Sequence, residues 1–303
     1  MTVSESPATS ARASRSTHSG SLTSGQIEAY WRDGYLLPIH VAQAEHAASW
    51  RHEIEALERR WRDEPTLPRP FVDYARANFH VVSSAAARIA HAAPILDAVE
   101  SLIGPDIICW MCELIVKEPH SPKILTIHQD LTYWGFEGAD HVVTAWVALT
   151  PARLANGAMQ FVTGSHHNGQ VPHRDTYGSD NLLSRGQEVA VDYDPADLVA
   201  VELDPGEMSL HHGLMFHGSG PNTTGERRIA LVIRYVSPAV SQQIGAADFG
   251  MVVRGVNRTN HLLGTPVPFA DFTPEALALH AEISDVQAVP LAANAARDLS
   301  YRR

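Results

Sequence analysis

The second half of the chain is divided into short apolar runs, and this pattern restricts the fold more than any other feature. From Asp106 onward, eight runs are enriched in β-branched and aromatic residues and are separated by glycine, proline or asparagine: IICWMCELIVK, ILTIHQ, VVTAWVAL, AMQFVTG, LVAVEL, GEMSLHH, LMFH and IALVIRYV. Many short strands divided by turn residues are typical of an antiparallel sandwich or barrel. The pattern therefore predicts a mainly-β domain.

Helical patterns flank these strands on both sides. An amphipathic helix is predicted from Ala42 to Arg62, because its apolar residues recur at helical spacing. A second helix is predicted from Ala87 to Leu102, with an interruption at Pro94. The chain returns to a helical pattern after Phe272. The fold class that follows is mainly β with flanking helices.

The 303 residues contain nothing that resembles a linker, so we expect a single domain over residues 23–303. It would consist of a helical front end (23–104), a β core (105–240) and a C-terminal extension (241–303). Residues 1–22 are rich in serine and threonine and poor in large apolar side chains. That composition favours a disordered tail over a transit peptide.

Charge and cysteine content restrict the partners. The formal net charge of -11 argues against nucleic acid, since phosphate binding normally needs a basic patch. No apolar run reaches the ~18 residues of a membrane span. Cys109 and Cys112 are the only cysteines, and an offset of three in a strand places them on opposite faces. We expect buried, reduced thiols in a cytoplasmic protein that acts on a small molecule; the sequence assigns no oligomeric state.

His128 and Asp130, in TIHQDLTYW, form a triplet that can hold one metal ion, because alternate residues of a strand share a face. Chance alone gives about one such triplet among 17 histidines and 17 aspartates. A second triplet, His173-Arg-Asp175, lies in a polar loop between His166 and Asp197 where nothing fixes a shared direction. We interpret it as polar surface, and the loop itself as a candidate lid.

His217 is the predicted third ligand. It ends the apolar run LMF and precedes Gly218-Ser219-Gly220, so a strand end beside a turn can present it to an open cavity. His211 could share its face and is the substitute candidate. Two imidazoles and one carboxylate are the ligand set of non-haem iron(II) oxygenases, and zinc would bind there without redox chemistry.

Arg228 suggests which organic acid accompanies the iron. The alternation of IALVIRYV points Arg228 inward and leaves Arg227 outward. A keto acid that chelates iron through one end needs a cation for its far carboxylate, and a guanidinium binds carboxylates bidentately. The residues therefore predict an iron(II)-dependent oxygenase with 2-oxoglutarate and dioxygen as cosubstrates.

From about Leu22 to Tyr235 the chain resembles the phytanoyl-CoA dioxygenase family of iron(II)- and 2-oxoglutarate-dependent oxygenases. The motifs that carry the resemblance are LTSGQIEAYWRDGYL, IGPDI, KEP, HQDLTYW, TAWVALTPARLANGAMQFVTGSH and HGSGPNTTGERRIAL. The resemblance implies a double-stranded β-helix, a jelly-roll or cupin-like barrel, flanked by helices. It also implies His128, Asp130 and His217 as the iron ligands.

The same resemblance implies roles around the cosubstrate. Arg228 matches the arginine that holds 2-oxoglutarate, Ser219 the position that assists it, and Trp146 a tryptophan of the cosubstrate pocket. Related halogenases replace the carboxylate ligand by a small residue, so Asp130 disfavours halogenation. Thr163 stands where the family has proline, which should not alter the chemistry.

The sequence carries less information about the substrate than about the metal site. Four residues are candidates for the substrate side: Lys117, Tyr133, Trp134 and Arg254. Other roles explain them equally well, since Lys117 could be a charge at the rim, the two aromatic residues could pack the barrel, and Arg254 could be a surface residue. We expect hydroxylation of an unactivated C–H bond of a small metabolite, with release of succinate and carbon dioxide; the negative net charge does not favour a coenzyme A thioester. Desaturation, epimerisation or ring formation on the same iron stays open. A metal-holding barrel without turnover is the third alternative, against which Asp130 and Arg228 together argue.

Overall fold

The computed structural model describes residues 20–293, so the tail expected over residues 1–22 lies almost entirely outside the described residues. Helices occur in the front half and at the C-terminal end: α1 (Ser24–Asp33), α2 (Ala44–Trp61), α3 (Phe71–Ala75), α4 (Phe79–Val82), α5 (Ser84–Ala90), α6 (Ala93–Ile103) and α7 (Pro274–Ala292). No helix within this range is both long enough and apolar enough to span a lipid bilayer.

The strands begin with one that precedes α2 and otherwise occupy the middle of the chain: β1 (Tyr35–His40), β2 (Ile107–Lys117), β3 (Leu125–His128), β4 (Phe136–Glu137), β5 (Val142–Ala148), β6 (Met159–Val162), β7 (His173–Asp175), β8 (Gln187–Val189), β9 (Leu198–Ala200), β10 (Glu207–His212), β11 (His217–Ser219), β12 (Arg228–Val236), β13 (Ser241–Gln242), β14 (Phe249–Arg254) and β15 (Leu263–Gly264). The larger sheet has the order β1-β10-β5-β12-β2-β14-β15, and the smaller has β3-β11-β6-β9. Two ribbons, β13-β4 and β7-β8, complete the pairing.

The larger sheet is apolar on both faces, as β12 illustrates. Ile229, Leu231 and Ile233 pack in the core cluster that the sheet forms with the helices. Ala230 and Val232 point to the opposite side and belong to a second cluster. Because alternate residues of a strand face opposite ways, a strand covered on both faces becomes an almost continuous apolar run. The run IALVIRYV has this composition for that reason.

The second cluster lies between the two sheets. Ile115 and Trp146 of the larger sheet pack there with Met159 and Phe161 of the smaller sheet. Two mainly antiparallel sheets that enclose a core between their inner faces form the arrangement of a jelly roll. The predicted fold class, mainly β with flanking helices, is confirmed.

The front-end helices cover the outer face of the larger sheet, largely as predicted. The helix expected over Ala42–Arg62 is α2, and Trp50, Ile54 and Leu57 on one side of it are buried in the core shared with the sheet. The helix expected over Ala87–Leu102 is two helices, α5 and α6, that meet before Pro94. Proline at the first turn of α6 needs no amide hydrogen bond, so it starts a new helix there.

A β-bulge in β2 overturns the expectation for the cysteines. Arg234 and Tyr235 of β12 are consecutive, but their partners in β2 leave Trp110 as an additional, unpaired residue. A bulge of this kind shifts the alternation of side chains along a strand. Cys109 and Cys112 therefore pack in the same core cluster instead of on opposite faces, and both thiols are free and buried.

The long polar segment between His166 and Asp197 is folded. It contains the β7-β8 ribbon, in which His173 pairs with Val189. Gln187 of this ribbon accepts a hydrogen bond at its carbonyl from Thr126 of β3. The segment expected as a lid is thus a hairpin attached to the strand that carries His128.

Candidate metal centre and cosubstrate pocket

The two predicted histidine ligands lie side by side on neighbouring strands. His128 is the last residue of β3 and His217 the first of β11, and the two are register partners in the smaller sheet. Their ring centroids are 4.2 Å apart. Asp130 follows β3 in a short 3-10 turn, Asp130–Tyr133, and so is not on the strand as expected. The turn directs its carboxylate at the same point: Oδ1 lies 3.6 Å from His128 Nε2 and 3.8 Å from His217 Nε2.

Backbone carbonyls orient both imidazoles. His128 Nδ1 is 2.8 Å from the Thr126 carbonyl oxygen, and His217 Nδ1 is 2.9 Å from that of Met215. A carbonyl can only accept, so Nδ1 carries the hydrogen and each Nε2 keeps a lone pair that faces Asp130. Burial, together with neighbouring His128, holds the pKa of His217 well below its ordinary value. The His217 ring is therefore neutral, as a metal ligand must be.

Asp130 is held through its second oxygen. Oδ2 lies 3.4 Å from Thr144 Oγ1 and 3.6 Å from Arg234 Nε. Burial alone would raise the pKa of Asp130, but Arg234 and His217 outweigh it and hold the pKa well below the ordinary value of a carboxyl group. One oxygen of a permanently ionised carboxylate is thus directed at the histidines while the other is occupied.

The three side chains fit a metal ion by number, type and spacing. One ligand atom from each of His128, Asp130 and His217 lies within 4.8 Å of the others, and all three residues are buried. Two imidazole nitrogens and one carboxylate oxygen leave further positions of an octahedral ion open. This donor set suits iron(II) that must also bind other ligands.

His211, the substitute candidate, lies beside this cluster. Its ring centroid is 4.8 Å from that of His217, and its Nε2 is 3.9 Å from Asp130 Oδ2, too far for a hydrogen bond. It approaches the oxygen that faces away from the two histidines. The grouping of ligand atoms within the described chain is formed by His128, Asp130 and His217 without it.

Arg228 is fully buried and only partly satisfied. Its Nη1 donates a 2.7 Å hydrogen bond to the Gly157 carbonyl, whereas Nε and Nη2 have no hydrogen-bond partner among residues 20–293. Its guanidinium lies over the ring of Trp146, with Cζ 5.2 Å from the ring centroid. Burial lowers the pKa of Arg228 to about 10, so it is still a cation at neutral pH. Two buried donors without an acceptor fit a carboxylate that arrives with a ligand.

Lys117 lies beside Arg228 and not on the substrate side where it was expected. The two residues are register partners on β2 and β12. Lys117 Nζ donates a 2.7 Å hydrogen bond to Ser219 Oγ and another to the Gly220 carbonyl. Lys117 therefore joins the group of side chains around Arg228, to which the sequence assigned only Arg228, Ser219 and Trp146.

A cavity of about 420 Å³ reaches the metal cluster. His128 and Asp130 line it, as do Tyr133 and Trp134, two of the predicted substrate residues. Arg254 is not brought to this cavity. Its guanidinium pairs with Asp97 and Glu100 of α6, and both pairs are at least partly exposed.

Sequence reasoning missed the helical walls of this cavity. Helix α3 and the residues on either side of it contribute Arg69, Val72, Asp73, Arg76, Ala77 and Asn78, and one face of α7 contributes His280, Ser284, Gln287 and Leu291. The stretch 63–85 has mixed composition, and α7 carries no motif. Only the spacing of the α7 residues, at three or four positions, could have indicated a common face.

His173, interpreted as polar surface, has a structural role next to the metal cluster. Its Nε2 accepts a 3.0 Å hydrogen bond from the Gln129 amide, between the two ligands of the first triplet. Asp175, its partner in the second triplet, forms a 2.6 Å ion pair with Arg185. The interpretation of this triplet as solvent-facing is wrong, because the hairpin folds back onto the end of β3.

Comparisons with known proteins agree with this geometry. The model of the phytanoyl-CoA dioxygenase (PhyH) family matches residues 30–230. A probable phytanoyl-CoA dioxygenase of Caenorhabditis elegans is 32% identical over 152 residues, which cover 47% of this chain and 48% of the nematode protein. An L-proline trans-4-hydroxylase of Streptomyces griseoviridis is 25% identical over 223 residues, covering 68% of this chain and 83% of that enzyme.

Among solved structures, the apo form of the non-heme monooxygenase ThoJ superposes with a TM-score of 0.78 and 35% identity. The match covers 88% of this chain and 97% of ThoJ. The similarity to the phytanoyl-CoA dioxygenases is shorter, since this chain spans about half of their length. The jelly roll and the helices around it are thus shared with ThoJ over nearly the whole of that protein.

Proposed function

Because the chain belongs to the phytanoyl-CoA dioxygenase family of iron(II)- and 2-oxoglutarate-dependent oxygenases, we propose that it hydroxylates an unactivated C–H bond of a small metabolite. Iron(II) is the cofactor, and 2-oxoglutarate and dioxygen are the cosubstrates. In this reaction one oxygen atom of dioxygen enters the product and the other enters succinate, while carbon dioxide leaves. The names of two relatives support this outcome, since one is a proline hydroxylase and the other a monooxygenase.

The observation that carries the proposal is a buried guanidinium with two donors that are unsatisfied among residues 20–293. Its register partner Lys117 donates a hydrogen bond to Ser219, two residues after the ligand His217. His128, Asp130 and His217 offer three ligand atoms and leave coordination positions open. Arg228 keeps Nε and Nη2 without an acceptor in the described chain. A protein that only held a metal would have no reason to bury such a cation, because burying a charge without a partner is costly. A chelating dicarboxylate explains both features at once.

Each residue then has a distinct task. His128, Asp130 and His217 would hold the iron, and Arg228 would bind the far carboxylate of 2-oxoglutarate with help from Ser219. Trp146 covers the guanidinium and keeps water from it. Iron with its bound keto acid supplies the chemistry that activates dioxygen. The protein contributes fixed positions, since its ligands are buried and hydrogen-bonded before anything binds.

The substrate would enter the cavity lined by Tyr133 and Trp134. The Trp134 ring packs against Trp110, with centroids 4.7 Å apart, and it also lies under the guanidinium of Arg234. A volume of about 420 Å³ is at the lower end of small-molecule pockets. It favours a free metabolite over a substrate attached to a large carrier.

The proposal is tested by coupled turnover. Protein reconstituted with iron(II) under exclusion of oxygen is mixed with 2-oxoglutarate and members of a metabolite library, then exposed to air, and succinate is quantified. A substrate should raise succinate formation above the rate without it and gain the mass of one oxygen atom. Loss of two hydrogens would instead indicate desaturation or ring closure, and an unchanged mass with altered stereochemistry would indicate epimerisation.

Two variants control the experiment. Arg227→Met removes the neighbouring surface-directed arginine and should turn over normally, while His217→Ala should form no succinate above the iron blank. Failure of the wild type to bind 2-oxoglutarate, or to form succinate from it with any compound, would refute the proposed function.

A further inference from the structure

The charges in the cavity beside the metal cluster are unevenly paired. Arg234 is already engaged: its Nη1 lies 2.7 Å from Glu113 Oε2, and its Nε lies 3.6 Å from Asp130 Oδ2. Both of these carboxylates line the same cavity. They are therefore occupied by Arg234 before any substrate arrives.

Arg69 and Arg76 line the cavity without such partners. Both are half-buried, and within residues 20–293 neither has a carboxylate oxygen within ion-pair distance. Arg76 donates to the Leu182 carbonyl through Nη2, and Arg69 forms no side-chain hydrogen bond in the same range. Burial raises the pKa of Asp73, on the intervening helix, although the charges of Arg69 and Arg76 act in the opposite direction; no oxygen of Asp73 lies within 4.0 Å of either guanidinium. The cavity thus holds two guanidinium groups with free donors in a chain of net charge -11.

We infer that the substrate carries a carboxylate, which Arg69 and Arg76 bind while an apolar part of the same molecule extends towards the metal ligands. This inference rests on the proposed function and names the substrate class of that site. Guanidinium groups bind carboxylates through paired hydrogen bonds, and they do so more strongly where water is partly excluded. The remaining lining includes Trp110, Trp134 and Leu183, which suit a hydrocarbon or aromatic body.

A second polar contact is available deeper in the cavity. Asn78 is almost completely buried, and its Nδ2 donates a 2.8 Å hydrogen bond to Gln287 Oε1 of α7. Its Oδ1 has no partner within the described chain. A buried acceptor without a donor is costly unless a ligand supplies one. The substrate is therefore an organic acid that also carries a hydroxyl or N–H group.

Matched pairs of compounds test this inference. Each organic acid in the succinate assay is accompanied by its primary amide, and acyl-coenzyme A thioesters form a third arm. We expect acids to stimulate turnover and their amides to fail. Active amides, active cations or activity confined to the thioesters would overturn the inference, whereas no stimulation by any compound together with no binding of 2-oxoglutarate would refute the proposed function instead.

Variants at the two arginines complete the test. Arg69→Met and Arg76→Met should each raise the KM for the acid by about tenfold or more, the loss of a charge-assisted contact, with the KM for 2-oxoglutarate unchanged. Arg51→Met is the matched control, because Arg51 is exposed and, among residues 20–293, pairs only with Glu55 on α2. Arg69→Glu should favour the corresponding amine over the acid. Unchanged KM values in all three cavity variants would contradict the assignment.

Discussion

Replacing Arg228 by methionine should abolish tight binding of 2-oxoglutarate and should not weaken the metal-free fold. In the metal-free protein no acceptor from residues 20–293 reaches the buried Nε and Nη2 of this guanidinium, and each such donor costs about 1–3 kcal/mol. Methionine removes both donors and keeps most of the apolar volume. We therefore expect the free energy of unfolding to stay constant or to rise.

The affinity for 2-oxoglutarate, in contrast, should fall in the Arg228→Met variant. Removing one partner of a buried ion pair costs about 3–5 kcal/mol, because the other charge is left uncompensated. At about 1.4 kcal/mol for each factor of ten, the dissociation constant for 2-oxoglutarate should increase by roughly two to three and a half orders of magnitude. Calorimetric titration of the nickel-loaded protein measures this change, and urea denaturation measures the stability of the metal-free protein.

Arg227→Met is the matched control for this experiment. Arg227 is the adjacent residue, but its guanidinium pairs with Glu58 and Glu118 at 2.8 Å on the outer side. Its loss should cost about 1 kcal/mol of stability, typical of a partly exposed pair, and leave ligand affinity intact. Our reasoning would be refuted if Arg228→Met bound 2-oxoglutarate within tenfold of the wild type, or if it lost as much stability as the control.

Three further predictions concern the metal, the pH dependence and the hairpin. His217→Ala should remove the stabilisation by added nickel(II), which for the wild type is about 2.7 kcal/mol at a hundred times the dissociation constant and is readable as a thermal shift. Burial lowers the pKa of His80 to about 3, so the folded state resists protonation of this ring. The stability that His80 contributes is therefore fully present above its pKa in the unfolded chain, near 6.5, and is lost as the pH falls towards 3. His80→Phe should therefore reduce the stability difference between pH 7 and pH 5 by about 2 kcal/mol in urea titrations, and an unchanged difference would show that other groups dominate. Arg185→Met removes the ion pair with Asp175 and the hydrogen bonds to the Leu291 and Ala293 carbonyls, so hydrogen exchange over 173–189 should accelerate while nickel affinity stays the same.

Local sequence pattern was sufficient where one strand determines where a side chain points. The alternation in IALVIRYV placed Arg228 on the inner face, and the structure has it buried there on β12. The end of an apolar run marked His128, which is the last residue of β3; His217, expected at the end of a strand LMFH, instead begins β11, and residues 214–216 lie in no strand. In these cases the information lies within a few residues, because side-chain direction in a strand repeats every second position.

The sequence predictions that were wrong concern geometry that a local pattern does not encode. Asp130 leaves the strand for a 3-10 turn, and the additional residue at Trp110 reverses the alternation for Cys109. Both changes are single-residue irregularities without a distinctive composition. The cavity walls were not predicted for another reason: Asn78 and Gln287 are 209 positions apart in the sequence, and only the folded chain brings them into contact.

The position of the C-terminal helix α7 separates the proposed selection of the substrate from the chemistry of the oxidation. Every side chain assigned here to iron and 2-oxoglutarate comes from residues 117–228, within the segment that matches the family, whereas α7 lies beyond that segment and still forms a wall of the substrate cavity. The residues assigned to iron and 2-oxoglutarate and part of the proposed substrate cavity therefore lie on different stretches of the chain. Exchange of α7 between related enzymes should change which molecule is oxidised without changing the oxidation chemistry.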